Sequence, residues 1–521
     1  MSPRAPTLGA PSLRRSSHSI PVHLFRRLPS MLHGIRSASS LAAPTLRACG
    51  PAAFALATLG ACGGPAGDDT ASPATVTQSF SRGHAGQVRR GERLFDEAFA
   101  DTNGRSCSTC HVLEEHSVLT PANVSARLDA DPSDPLFNRI DADDPNASEL
   151  SFDHLKKGLV RVVLDLPDNM DLIDLDGNVV TPPERTVEVW RAVPTVENAA
   201  ITAPYQYDGR RATLQEQAQG AITAHSEGGD VADKDLDAIA AFQDAQFTSD
   251  RARSVARQLA FGIPVEHIER PELKLDDLTE AQARGLEVYN AGCEACHGGA
   301  TTTQIVNREV HDFAFVQLKP DGNVLFDTSF QPPVPVFLPQ PHNEFLNIGL
   351  ANISELGQLG FLPTFNADVT LPRYRYRFYT DGTRTTQQVD LPPPPVTATG
   401  NPLDLFFPAI DENGAPIFGP NFLPQLFSTD PGRAAITGQP QDFEAFDIPP
   451  LRGITNTAPY FHDNAAATLR DAVDLYSRFI LPFFGPALNL PAVLPPENGG
   501  FFPESLSPEQ KNDLLEFLAI L

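Results

Sequence analysis

The chain has 521 residues, with 39 Lys and Arg against 65 Asp and Glu and a net charge of −26. So acidic a chain argues against nucleic acid and anionic lipid headgroups as partners, and would favour a redox partner with a basic face. The length is too great for one hydrophobic core, so two or more domains are expected.

The chain opens with seven Arg and no Lys or acidic residue before the apolar run Pro51-Ala-Ala-Phe-Ala-Leu-Ala-Thr-Leu-Gly-Ala-Cys62. A basic stretch followed by a short apolar one ending in small residues reads as a secretory signal, too short to span a membrane. Leu59-Gly60-Ala61-Cys62 resembles a bacterial lipobox, in which the cysteine is acylated and becomes the first residue. The long basic stretch makes Met31 an alternative start. Residues 1–62 are therefore expected to be a signal peptide, and Cys62 a lipid anchor in the periplasm-facing outer membrane of a Gram-negative-type envelope. Loss of the seven Arg takes the charge from −26 to −33. The small, polar residues 63–80 follow as a flexible tether.

Cys107-Ser-Thr-Cys110-His111 comes next, and its counterpart is Cys293-Glu-Ala-Cys296-His297. Cys-x-x-Cys-His is the attachment site of a c-type haem. One short turn must offer two thiols to the porphyrin vinyl groups and an imidazole to the iron. A redox Cys-x-x-Cys and half of a zinc site share part of this pattern, but no further cysteine pair exists to complete a zinc site. The motifs imply two covalently bound haem c groups with His111 and His297 as proximal ligands. Export fits, because such haems are attached outside the bacterial inner membrane.

The surroundings of the motifs repeat as well. Arg90-Gly-Glu-Arg-Leu-Phe95 precedes the first and Arg284-Gly-Leu-Glu-Val-Tyr289 the second, both with helical apolar spacing. After them come Thr202-Ala-Pro204-Tyr-Gln-Tyr207-Asp-Gly-Arg210 and Thr457-Ala-Pro459-Tyr-Phe-His462-Asp. Amphipathic helices over 235–245 and 507–521 close the halves, the last with proline in its first turn. The pattern predicts a mainly α fold of two tandem cytochrome c-type domains, 81–274 and 275–521. The second carries a long Pro-rich, partly β insertion at about 311–445, with Asp381-Gly382 as a hairpin turn.

The order of these motifs resembles the bacterial di-haem cytochrome c peroxidases and their relative that matures tryptophan tryptophylquinone. The resemblance covers nearly all of 81–521 apart from the insertions. It implies a peroxidatic haem at His111 and an electron-transfer haem at His297. It also implies hydrogen peroxide as substrate, and a small c-type cytochrome or cupredoxin as electron donor. Gln217 matches a distal-pocket glutamine and Glu227 the distal glutamate, whose carboxyl, raised by burial, would move a proton between the peroxide oxygens. Tyr207 stands where the family has a tryptophan between the haems, and Ala221 where it has a proline. One calcium ion is allowed for, although Ala192 replaces an asparagine ligand and only the Thr457 and Pro459 carbonyls remain. A homodimer is likewise allowed for.

Tyr476 stands where the peroxidases typically have a methionine sixth ligand, and the tryptophylquinone-maturing relative has tyrosine there. Phenolate ligation would stabilise ferric iron and lower the potential. His116 and His154 both lack the context of the loop histidine that blocks the resting peroxidatic haem, so the first site is expected open. Two other functions stay in view. One is oxidation of a protein or organic substrate through high-valent iron, and the other is electron transfer without catalysis.

Overall fold

The computed structural model describes residues 82–272, 278–306, 345–358, 360, 362–392, 427–481 and 504–521, with two-residue strands at 315–316, 326–327, 334–335, 337–338, 409–410 and 416–417. The expected signal peptide, Cys62 and all of the tether lie outside the described residues, as does much of 311–445.

Helices α1 (Arg82–Asp96) and α2 (Pro121–Ala130) flank the first Cys-x-x-Cys-His turn. Strands β1 (Leu159–Asp165), β2 (Met170–Ile173) and β3 (Thr186–Ala192) follow, then α3 (Leu214–His225), α4 (Asp233–Gln243) and α5 (Asp250–Ala260). Helix α6 (Glu280–Val288) runs through a π-helical turn, Tyr289–Cys293, into the second motif. Beyond it lie α7 (Leu350–Gln358), β4 (Arg375–Tyr379) and β5 (Gln387–Leu391). Helix α8 (Leu469–Leu475) continues into a second π-helical turn, Tyr476–Ile480, and α9 (Pro508–Leu518) closes the chain.

The sequence repeat is a repeat of backbone. On α1, a Cβ at Gly91 would meet the Ala238 carbonyl oxygen of α4 at 1.9 Å; on α6, one at Gly285 would meet that of Asp513 of α9 at 2.0 Å. Only glycine lets each helix pair approach so closely. Ala203-Pro204 and Ala458-Pro459 are both cis, Gln206 and Phe461 have φ 75° and 74°, and Thr213 and Thr468 each cap a helix through a capping box. The tyrosine after each proline reaches back to the carbonyl six residues earlier, Tyr205 to Ala199 and Tyr460 to Ile454. Tyr207 therefore corresponds to His462, Gln217 to Ala472, Ala221 to Tyr476 and His225 to Ile480.

Strands lie in the first half as well as in the insertion, which corrects the expectation that confined them to the latter. β1 and β3 pair antiparallel from Leu159 opposite Ala192 to Asp165 opposite Thr186. Their period-two signal, Val187 and Val189 inward with Glu188 between them, is legible in the sequence. β4 is the central strand of a second sheet, paired with β5 on one side and β2 on the other. The expected hairpin about Asp381-Gly382 joins β4 to β5, and a first-half strand completes its sheet. Met170, Tyr376, Phe378 and Phe443 form its buried core, while Arg377 grips Asp390 across the strands at 2.8 and 2.7 Å.

Candidate active site

Both Cys-x-x-Cys-His turns open onto one cavity of about 440 Å³, walled by residues of both repeats. Cys107, Cys110, His111, Cys293, Cys296 and His297 all line it, with Tyr207, Gln217 and Tyr476. The four cysteines are unpaired. Burial pushes the Cys107 thiol up to about 12, reinforced by Cys110, and Cys110 up to about 11; Cys293 and Cys296 also rise to about 12. A redox Cys-x-x-Cys needs the opposite, a thiolate stabilised near neutrality. Among the described residues no three His, Cys, Asp or Glu gather as an ion site.

The imidazoles are poised alike. His111 Nδ1 donates to the Ser117 carbonyl at 3.1 Å, and His297 Nδ1 to that of Thr302 at 3.2 Å. Carbonyls only accept, so Nδ1 bears the proton and Nε2 keeps its lone pair, as an iron ligand must. Burial lowers both imidazoles to about 4, so they are neutral at physiological pH. Paired thiols, a neutral imidazole beside each pair and a shared, largely apolar cavity fit two covalently held haems.

The far walls of the two ends differ. Gln217, Ala221 and His225 come from one stripe of α3, at successive intervals of four residues. Their counterparts Ala472, Tyr476 and Ile480 also line the cavity. The π-helical turn starts at Tyr476, which is half-buried near Cys293 and Cys296. One end thus has a methyl group between an amide and an imidazole, and the other a phenol between aliphatic groups.

Glu227 is not brought to this wall. It lies two residues past α3, with φ 54°, is exposed and does not line the cavity; the burial expected for its carboxyl is not found. Tyr207 and its counterpart His462 meet edge-on between the two ends, ring centroids 6.4 Å apart. His462 is 2% exposed and stacks on Phe446 at 4.1 Å. His116 Nδ1 faces Glu197 at 3.2 Å, and His154 stacks on Trp190 at 4.2 Å with Nδ1 2.6 Å from Asp143. Neither histidine lines the cavity.

Three wall residues escaped the sequence reading. His225 carried a signal, its four-residue spacing from Ala221. Arg191 carried none: it is buried in a strand, bonded to Asp430 at 2.6 and 2.9 Å and to Asp208 at 2.6 Å. Arg105, 2% exposed, holds Asp141 at 2.5 Å behind the first motif.

Residues 85–244, which hold the first motif, α1, α3 and α4, match the family model of the di-haem cytochrome c peroxidases. The likeness to that family is carried by this segment. The family is one of oxidoreductases that hold two haems, and the recognition made from the motifs is borne out. The cytochrome c551 peroxidase of Nitrosomonas europaea is 48% identical over 50 residues, which cover 10% of this chain and 15% of that protein. Among solved structures, a MauG-like protein associated with microbial copper homeostasis is similar at 18% identity and a TM-score of 0.35, over 86% of this chain and 91% of that one. The diheme peroxidase BthA from Burkholderia thailandensis is similar at 15% identity and a TM-score of 0.33, over 84% and 86%.

Proposed function

We propose that the chain is a lipid-anchored, periplasm-facing di-haem peroxidase, with tandem cytochrome c-type domains over 81–274 and 275–521. It would reduce hydrogen peroxide to water with electrons from a small c-type cytochrome or cupredoxin. The observation that carries this is the difference between the cavity's two ends, a small Ala221 beside polar groups at one and Tyr476 at the other. In this reading Cys107, Cys110 and His111 hold the peroxidatic haem, and Cys293, Cys296 and His297 the electron-transfer haem. Haem, once bound, supplies the iron that activates peroxide and the centre that relays electrons. Gln217 offers the incoming peroxide a hydrogen bond, and Ala221 leaves it room. Tyr207 and His462 bridge the ends, and the Tyr476 phenol would help hold the second haem, lowering its potential. Proton transfer by Glu227 would need the chain after Ser226 to turn inward. The Thr457 and Pro459 carbonyls would serve a calcium ion, and self-association into a dimer completes the reading.

Oxidation of a protein or organic substrate is the second reading, and Tyr476 favours it, since a phenol ligand disfavours a high-potential relay. Rapid mixing of the haem-loaded protein with hydrogen peroxide, with and without a reduced small cytochrome c, separates the two. Peroxide-driven oxidation of the cytochrome, lost in Gln217→Leu, supports the peroxidase. A long-lived spectral change that ignores the cytochrome supports the substrate-oxidising enzyme. No change in either oxidation state leaves an electron carrier and refutes both.

A further inference from the structure

His225 occupies a position on the α3 stripe that the motif pattern did not assign. It follows Ala221 by four residues and lines the same wall as Gln217, whereas the Glu227 carboxylate stands outside. Its backbone is anchored: Asn103 Nδ2 and Arg105 Nη1 donate to the His225 carbonyl at 3.0 and 3.4 Å. Among the described residues its imidazole has no hydrogen-bond partner, so its ring nitrogens are free to meet a small molecule in the cavity. Ile480 at the corresponding place of the other end cannot exchange a proton.

We propose that His225 is the acid–base residue of the first haem site, taking the proton that hydrogen peroxide sheds on binding and returning it to the outer oxygen. The O–O bond breaks with its electron pair going to that oxygen, which leaves as water; the two electrons come from the bound haem. This deepens the peroxidase reading and rests on it. A base must be neutral before it acts. Burial holds this imidazole below its usual value, opposed by the Asp141 carboxylate and reinforced by Arg105 and Arg210, and its charge in turn disfavours that of His111.

Cyanide isolates this step from turnover, because hydrogen cyanide must also lose its proton as it binds. Association of cyanide with the haem-loaded protein is followed by stopped-flow absorbance between pH 5 and 9, in wild type, His225→Leu, His225→Gln and Glu227→Gln. General-base loss predicts association slowed about 100-fold or more in both His225 variants. Their resting spectra should be unaltered. Gln keeps the bulk and polarity of the site, so an equal loss in both variants reports the missing base rather than altered packing. Fast binding in both His225 variants, or slow binding in Glu227→Gln alone, overturns the assignment and leaves the peroxidase reading intact. A low-spin resting spectrum that becomes high-spin in His225→Leu also overturns it, since His225 would then be an iron ligand. Wild-type protein that binds no cyanide refutes the open first site and, with it, both proposals.

Discussion

Replacing Arg191 by Met removes the cation at the centre of a buried cluster. Arg191 is 2% exposed and holds Asp430 through Nε and Nη2 at 2.6 and 2.9 Å, and Asp208 through Nη1 at 2.6 Å. Asp208 is fully buried and keeps Arg210 at 2.6 Å, but Asp430, 1% exposed, keeps among the described residues only the Gly432 N–H hydrogen bond at 2.8 Å on its carboxylate. The cost therefore falls on Asp430. Stranding a buried carboxylate destabilises by about 3–5 kcal/mol, in line with about 4 kcal/mol for one charge pair near 4 Å at an effective dielectric of 20. Urea unfolding of the haem-loaded protein, followed by circular dichroism, measures it. Arg191→Met with Asp430→Asn should recover about half the loss, because the orphaned charge goes with it. Acid should narrow the gap between variant and wild type. Burial raises the Asp208 carboxyl, but the Arg191 and Arg210 guanidiniums outweigh it and hold the folded value below the usual one. A depressed carboxylate stabilises above its unfolded pKa, near ~3.9, and that stabilisation is lost as pH falls through the folded value. A loss under about 1 kcal/mol for Arg191→Met, or a double variant no better than the single, would refute this account, since it would leave the cluster far weaker than a buried pair.

Gly91→Ala and Gly285→Ala should destabilise by similar amounts, at least about 1–3 kcal/mol each, because both force a methyl group into a carbonyl at about 2 Å; thermal melts that differ widely between them would break the equivalence. Cys107→Ala with Cys110→Ala should leave one covalent haem, as should Cys293→Ala with Cys296→Ala, read by intact mass and pyridine haemochrome. Two haems retained in either pair would refute the attachment sites. Burial raises Asp143, but the Asp153 and His154 N–H groups and the His154 ring outweigh it and bring it to about 2. Its contribution should be full above about pH 4 and fade between about pH 4 and 2. Asp143→Asn should therefore flatten that part of the melting-temperature profile, and an unchanged slope would contradict the assignment.

The Cys-x-x-Cys-His turns were legible because their signature is local: two thiols and an imidazole come from five consecutive residues, and no distant contact changes that. The helices announced themselves through caps and periodicity. α4 and α9 begin at Asp233 and Pro508, within two residues of expectation. β1 and β3 also carried a period-two pattern, but it stood in a stretch between motifs and went unused.

Glu227 shows where a linear match stops. Two residues past the end of α3, the chain adopts a left-handed φ and carries the carboxylate outward, while His225, still on the helix, faces the cavity. Which side of a wall a residue meets depends on where the helix ends and what packs against it, and spacing alone does not encode that. Arg191, Asp208 and Asp430 are far apart in the chain, and only folding makes one buried cluster of them. From sequence came two Cys-x-x-Cys-His turns in a duplicated helical frame, because local geometry dictates both. Tertiary packing alone set those turns on one cavity and made its ends unlike, because the counterpart positions Ala221 and Tyr476 meet there only once the chain is folded.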